Sequence, residues 1–424
     1  MNKKNKIISV SASEMISDRN KPAVQVVVET EGGIVGKAMC SPGISVGKHE
    51  AKFVYDGGQK WKGLGVSQAV DNVNHEIAPL LIGMDVTNQT LCDSAILTKD
   101  KVKMGANATA AVSTAILNTG ATALNMPLYE HIGGVRAFTL PVPGVTAATG
   151  STRYGGNIYA GYKPSFSFVS YDFDTFTEAT TALWEVFMNW SDFIKEKLGI
   201  KMQIIAGMAI AQGKLKNDFE LLDYMTEVIN ETGFKDRIGI QIDIAANSFY
   251  NKESKLYEGI FSKEPKTRDD MIELMVKIAK EYPIVNIEDP LHDDDFEGFA
   301  EITKQVDIQI TGDDLLATNP ERVKNAIQMG AGNAMRVVTS QIGTVSEAAE
   351  IALYAKENNF GISPCGERGE GNAICDYIVG YNAGMAREYG LGYSGNRLLK
   401  IEHELGPRAR FFGKRGINGK RFQL

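Results

Sequence analysis

The chain has little of what soft-metal and thiol chemistry needs. It holds four cysteines and five histidines in 424 residues. Cys40, Cys92, Cys365 and Cys375 are scattered, with no CxxC pair. That argues against a zinc site or a disulfide framework and suits a reducing cytosol. Long apolar runs are also lacking, so no membrane-spanning helix is expected. The opening MNKKNKIISVSASEM is basic but has no sustained apolar core and no small-residue cleavage pattern. No signal peptide is expected, and a cytoplasmic location follows. There is no excess of positive charge: the formal net charge is -7, with both signs spread along the chain. Nucleic acid and anionic membranes are therefore unsuitable main partners. Finally, no GxGxxG turn follows any predicted strand, which argues against a dinucleotide site.

What is present changes character part-way along. AVQVVVETEGGIVGKAMC is rich in β-formers, and Gly32 and Gly33 sit between two apolar runs, predicting a hairpin. Helical patterns follow in GVSQAVDNVNHEIAPLLIG and in the small-residue-rich GANATAAVSTAILNTGATALNM. Residues 1–138 thus read as an α+β domain, strands first and helices after. From LPVPGV onward, over 139–424, short β-rich runs alternate with helical patterns. The strands are IGIQIDI, IVNIEDP, IQITGDD, AMRVVTS and FGISPC. Repeated βα units predict a parallel sheet, and their number favours a closed barrel over an open sheet.

The strongest chemical signal is a spacing. Asp243, Glu288 and Asp313 each end a predicted strand, 45 and 25 residues apart, about one βα unit each time. Barrel active sites form where strands end and βα loops begin, so the three acids converge. Left alone they repel and raise one another's pKa values. An oxygen-loving cation relieves this, and Mg²⁺ suits a few carboxylates plus waters. The second acids, Asp289 and Asp314, read as capping or supporting groups.

These motifs resemble the enolase family over nearly the whole chain. SDRNKPAVQVVV is similar to its N-terminal signature, and GISVGKHEA to its mobile loop. LIGMDVT, MGANA, MPLYEHIGG, LPVP, IDIAANSFY, PIVNIEDP, GDDLLATNP, SQIGT and LLKIEHELG also match. The resemblance implies a (β/α)8 TIM-like barrel with an N-terminal α+β capping domain. It implies Mg²⁺ on Asp243, Glu288 and Asp313, with Ser45 bridging a second ion only if the loop closes over a phosphorylated substrate. It also implies a homo-oligomer, dimer or octamer. The family's reaction removes a proton next to a carboxylate and then expels a hydroxyl, through an enediolate stabilised by the metal.

The family's acid and base residues are missing. NAMRVVTSQIGT aligns without a gap to the strand that carries the base lysine, and Val338 stands at that position. Ser394 is the nearest match to the second active-site lysine. Met208 stands at the glutamate that assists hydroxide departure, and Pro164 and Ser165 replace a Gln-Glu pair. Pro364 and Cys365 replace the histidine and arginine of the phosphate-binding group. Candidate replacement catalytic groups are Arg336, Cys365 and Arg368. Arg336 shares the barrel-interior face of position 338; a structural ion pair below the site explains it equally well. A buried inert thiol is the commoner fate for Cys365. Ser45, Lys163 and Glu367 are candidate substrate contacts, and Tyr154, Tyr159 and Tyr162 lie in the same rewritten loop as Lys163. The expected activity is a magnesium-dependent carbon–oxygen lyase (a hydro-lyase) acting on a small carboxylate, not ordinary 2-phosphoglycerate dehydration. The alternative is a catalytically silent relative with a binding or scaffold role.

Overall fold

A computed structural model describes residues 3–43, 47–150, 154, 163–199, 207–366, 368–369, 371 and 373–423. The N-terminal part is a three-stranded antiparallel sheet: β1 (Ile7–Ile16), β2 (Pro22–Thr30) and β3 (Val35–Cys40). The expected hairpin is β2–β3, and Gly33 turns it at φ +75, a conformation that glycine adopts without steric cost. Its partner β1 comes from IISVSASEMI, whose polar and apolar residues alternate. Burial follows that alternation in β2, where Val24, Val26 and Val28 face inward. Against this sheet lies the helix Ala106–Ala123. A Cβ at Gly36 would stand 2.2 Å from Thr119 Oγ1, so the strand and helix can approach only because this residue is glycine. The helix is buried nearly all round. Its other side meets the barrel, where Ser113 Oγ accepts from the Val345 amide at 2.9 Å.

The barrel strands are β4 (Val142–Thr149), β5 (Ser165–Ser170), β6 (Ile238–Asp243), β7 (Ile284–Glu288), β8 (Gln309–Gly312), β9 (Ala334–Val337), β10 (Gly361–Pro364) and β11 (Met385–Ala386). They run in sequence order round the sheet from β4 to β10, with β11 on the far side of β4. The all-parallel expectation needs correcting. β5 lies antiparallel to both β4 and β6, and only the remaining pairs are parallel. Ser363 of β10 closes the seam by donating to the Met385 carbonyl at 3.0 Å. β6 and β7 are buried along their full length. One face packs on surrounding helices and the other fills the barrel, so these strands are not simply half polar. Helix starts are capped in the usual way: Thr267 and Asp270 form a capping box on Arg268–Glu281.

Among the described residues no helix is long and apolar enough to cross a membrane.

Candidate active site

Asp243 and Glu288 are direct register partners at the ends of β6 and β7. Glu288 is in turn paired with Thr311 of β8, and Asp313 follows two residues later. The strand register thus brings the three spaced acids to one end of the barrel, as their spacing suggested. Asp289 follows Glu288 with φ +44, and its carboxylate accepts from the Asp313 and Asp314 amides at 3.0 and 2.9 Å. It therefore fixes the start of the next loop. Ligand oxygens of Glu288, Asp289 and Asp313 lie within 4.8 Å of one another.

The positive charge here comes from three directions. Arg336 rises from β9, is 2% exposed, and donates to Glu288 and, at 2.5 Å, to Ser363. It sits beneath the carboxylates. Lys163 enters from the segment before β5 and binds Asp243. Arg387, just after β11, bridges both acids: its Nη1 lies 2.5 Å from Asp243 and 2.9 Å from Glu288. Its Nη2 lies 2.9 Å from Glu388. Burial alone would raise the Glu288 pKa, but Arg336 and Arg387 hold it down at about 2.

The Asp313 side is different. Asp313 accepts from Gln341 of the SQIGT motif at 2.9 Å. Burial, then the neighbouring Glu288, pushes its pKa up. Burial and the charges of Asp313 and Glu50 push Asp314 to about 7. Asp289 rises well above the usual range by burial and by Asp314 and Asp313. Negative charge is in surplus on this side, with oxygen donors only. Those residues fit a hard divalent cation such as Mg²⁺. Asp243 is committed instead to Lys163 and Arg387 on its Oδ2.

The other expected residues separate. Val338 is buried, 2% exposed, and its amide donates to Thr318 Oγ1 at 3.0 Å. Cys365 is near Arg387 and Arg336, yet burial raises its thiol to about 11. Arg368 is held by Glu50, which its guanidinium clasps at 2.5 and 3.0 Å, and its charge also acts on Asp313. Tyr154 donates to Asp218 at 3.2 Å. Ser45, Glu367, Tyr159 and Tyr162 lie outside the described residues, as does the side chain of Met208. Ser394 lies on the helix Gly392–Leu405, where its carbonyl accepts from Cys375. The cation on that side of the pocket is Arg387, which the sequence reading missed. Its strand is only two residues long and leaves no periodic trace.

Comparison with known proteins accords with this architecture. Residues 7–132 match the family description "Enolase, N-terminal domain". Residues 137–419 match "Enolase, C-terminal TIM barrel domain". The chain belongs to the enolase family. A protein named Enolase from Methanococcus aeolicus is 37% identical over 413 residues, covering 94% of this chain and 96% of its own. One of the same name from Pyrococcus furiosus is 37% identical over 424 residues, covering 96% and 97%. Another, from Methanopyrus kandleri, is 36% identical over 428 residues, covering 96% and 99%. Membership places this chain among the enolase-superfamily lyases.

Proposed function

We propose that this enolase-family chain is a magnesium-dependent hydro-lyase whose substrate is a small carboxylate other than 2-phosphoglycerate. The observation that carries this reading is Val338. An apolar side chain, buried at 2% exposure, stands where the family resemblance puts the base lysine, while the carboxylates Glu288, Asp289 and Asp313 stay grouped. Valine has no lone pair to accept a proton. Two further observations support it. Pro364 and Cys365 bring no positive charge to the phosphate side, and Arg368 is neutralised by Glu50. The guanidinium groups nearest Cys365, those of Arg336 and Arg387, are already paired with Glu288 and Asp243 and are not left to bind a phosphate dianion.

The reaction class is loss of water. The C–H bond beside the carboxylate breaks and its electron pair becomes the double bond, the C–O bond on the next carbon breaks, and the released proton and hydroxide leave together as one water. Held by the Glu288–Asp313 side, Mg²⁺ would supply electrostatic stabilisation to charge growing on the substrate carboxylate. In this reading Lys163 binds the substrate carboxylate from the segment before β5. Arg336 keeps Glu288 ionised and in place from below. Gln341 orients Asp313. Glu50, paired with Arg368, holds its loop against Gln341 beside Asp313.

A catalytically silent role draws on one observation: Asp243 and Glu288 already carry internal cations. One experiment separates the readings. The purified protein is incubated with a panel of small hydroxy acids and with 2-phosphoglycerate, with and without Mg²⁺, and loss of water is followed by mass spectrometry. The proposal expects a Mg²⁺-dependent product from a hydroxy acid and none from 2-phosphoglycerate. Metal binding with no product from any acid supports the silent role.

A further inference from the structure

We propose that Arg387 sets the metal affinity of this site, as a fixed counter-ion that keeps two carboxylate oxygens from a divalent cation. This rests on the reading that the pocket takes such a cation, and it concerns binding rather than turnover.

The argument is an accounting of lone pairs. A carboxylate oxygen offers about two good acceptor positions. Glu288 Oε2 accepts from Arg336, from Arg387 at 2.9 Å and from Gln241 at 3.3 Å. Asp243 Oδ2 accepts from Lys163 and from Arg387 at 2.5 Å. Both oxygens are full, and Arg387 Nη1 is the donor common to them. Asp313, by contrast, takes the Gln341 amide at 2.9 Å and carries surplus negative charge around it. A divalent ion that engages all three acids must therefore either displace Arg387 from these two oxygens or bind through Glu288 Oε1 and Asp243 Oδ1 with the fixed guanidinium charge alongside.

Arg387 is not free to swing away. Its side chain is 9% exposed and its second nitrogen is held by Glu388 at 2.9 Å. Its backbone is clamped as well. Ala386 pairs with Pro143 of β4, and a Cβ on the neighbouring Gly144 would stand 2.2 Å from the Arg387 carbonyl oxygen. The guanidinium is thus preorganised between the acids. Opposed like charges and a competing fixed cation both weaken attraction for a second cation.

The test uses Mn²⁺ as probe, with no substrate, read by isothermal titration calorimetry and by electron paramagnetic resonance of free Mn²⁺. Wild type, Arg387→Met and Arg387→Lys are compared. Arg387→Met is expected to bind Mn²⁺ at least about tenfold more tightly, a gain of about 1.4 kcal/mol. Arg387→Lys, whose single nitrogen cannot bridge both acids in the same way, falls between. Thermal melting gives a second readout. Arg387→Met should melt lower without metal and recover more with Mg²⁺ than wild type does; a merely structural loss would not be recovered by metal. Equal or weaker binding by folded Arg387→Met overturns the proposal. If that variant does not fold, Arg387→Lys decides: binding no tighter than wild type overturns it. Binding by Arg387→Met alone supports the inference while removing the metal-dependent reading of the wild type. Binding by neither overturns the inference.

Discussion

Arg368 and Glu50 form a two-point ion pair, at 2.5 and 3.0 Å, between a loop of the barrel and a loop of the N-terminal part. Both side chains are nearly fully buried, at 8% and 2% exposure. Glu50 also accepts from the Gly47 amide at 3.0 Å and reaches Gln341, which holds Asp313. The pair thus ties the loop carrying Glu50 to Gln341 and, through it, to Asp313. Breaking one partner leaves a buried charge alone. Glu50→Gln or Arg368→Met should each cost about 3–5 kcal/mol in urea unfolding. The double variant Glu50→Leu/Arg368→Met should recover much of that loss, because no lone charge remains. Additive losses in the double variant would contradict this.

The same pair gives a pH dependence with a definite sign. Burial alone would raise the Glu50 pKa, but Arg368 outweighs it and holds it below its usual 4.5. A carboxylate with a lowered folded pKa contributes all its stability above the unfolded value. That contribution is lost as pH falls through the folded value. Unfolding free energies measured from about pH 6 down to about pH 3 should fall below about pH 4.5. In Arg368→Met that part of the fall should vanish. An unchanged acid limb in this variant would assign the loss to other carboxylates.

Gly144 controls the placement of Arg387. A methyl group there meets the Arg387 carbonyl at 2.2 Å, a backbone atom that cannot rotate aside. Gly144→Ala should destabilise the protein by about 1–3 kcal/mol. It should also shift the backbone amide signals around Met385–Gly390 in NMR spectra. A variant with wild-type stability would show that β4 and β11 are less tightly apposed.

Restoring the lysine alone should not restore the family's reaction. Val338→Lys places an amine among buried acids but leaves Pro364 and Cys365 in place. Dehydration of 2-phosphoglycerate by this variant, followed by ultraviolet absorbance, is expected to stay at background. Turnover in Val338→Lys would locate the whole defect at that one position.

Much of this site was legible in the chain. Asp243, Glu288 and Asp313 could be placed together because each ends an apolar strand and the strands neighbour one another in the barrel. The hairpin Gly33 and the helix Ala106–Ala123 carried equally local signals. Three features were not legible, each for a physical reason. β5 is antiparallel, and SFSFVS has the same buried texture whichever way it runs. Arg387 follows a strand of two residues, too short for any alternation. Glu50 meets Arg368 across 318 residues of sequence, a contact that only the fold creates. Arg336 was visible as an anomaly, and the fold places it against Glu288 and Ser363.

The most direct test of the account is a steady-state assay of 2-phosphoglycerate dehydration at saturating Mg²⁺, with Asp243→Asn as control. The account predicts no turnover above the uncatalysed rate in either protein. Clear Mg²⁺-dependent turnover that disappears in Asp243→Asn would contradict it.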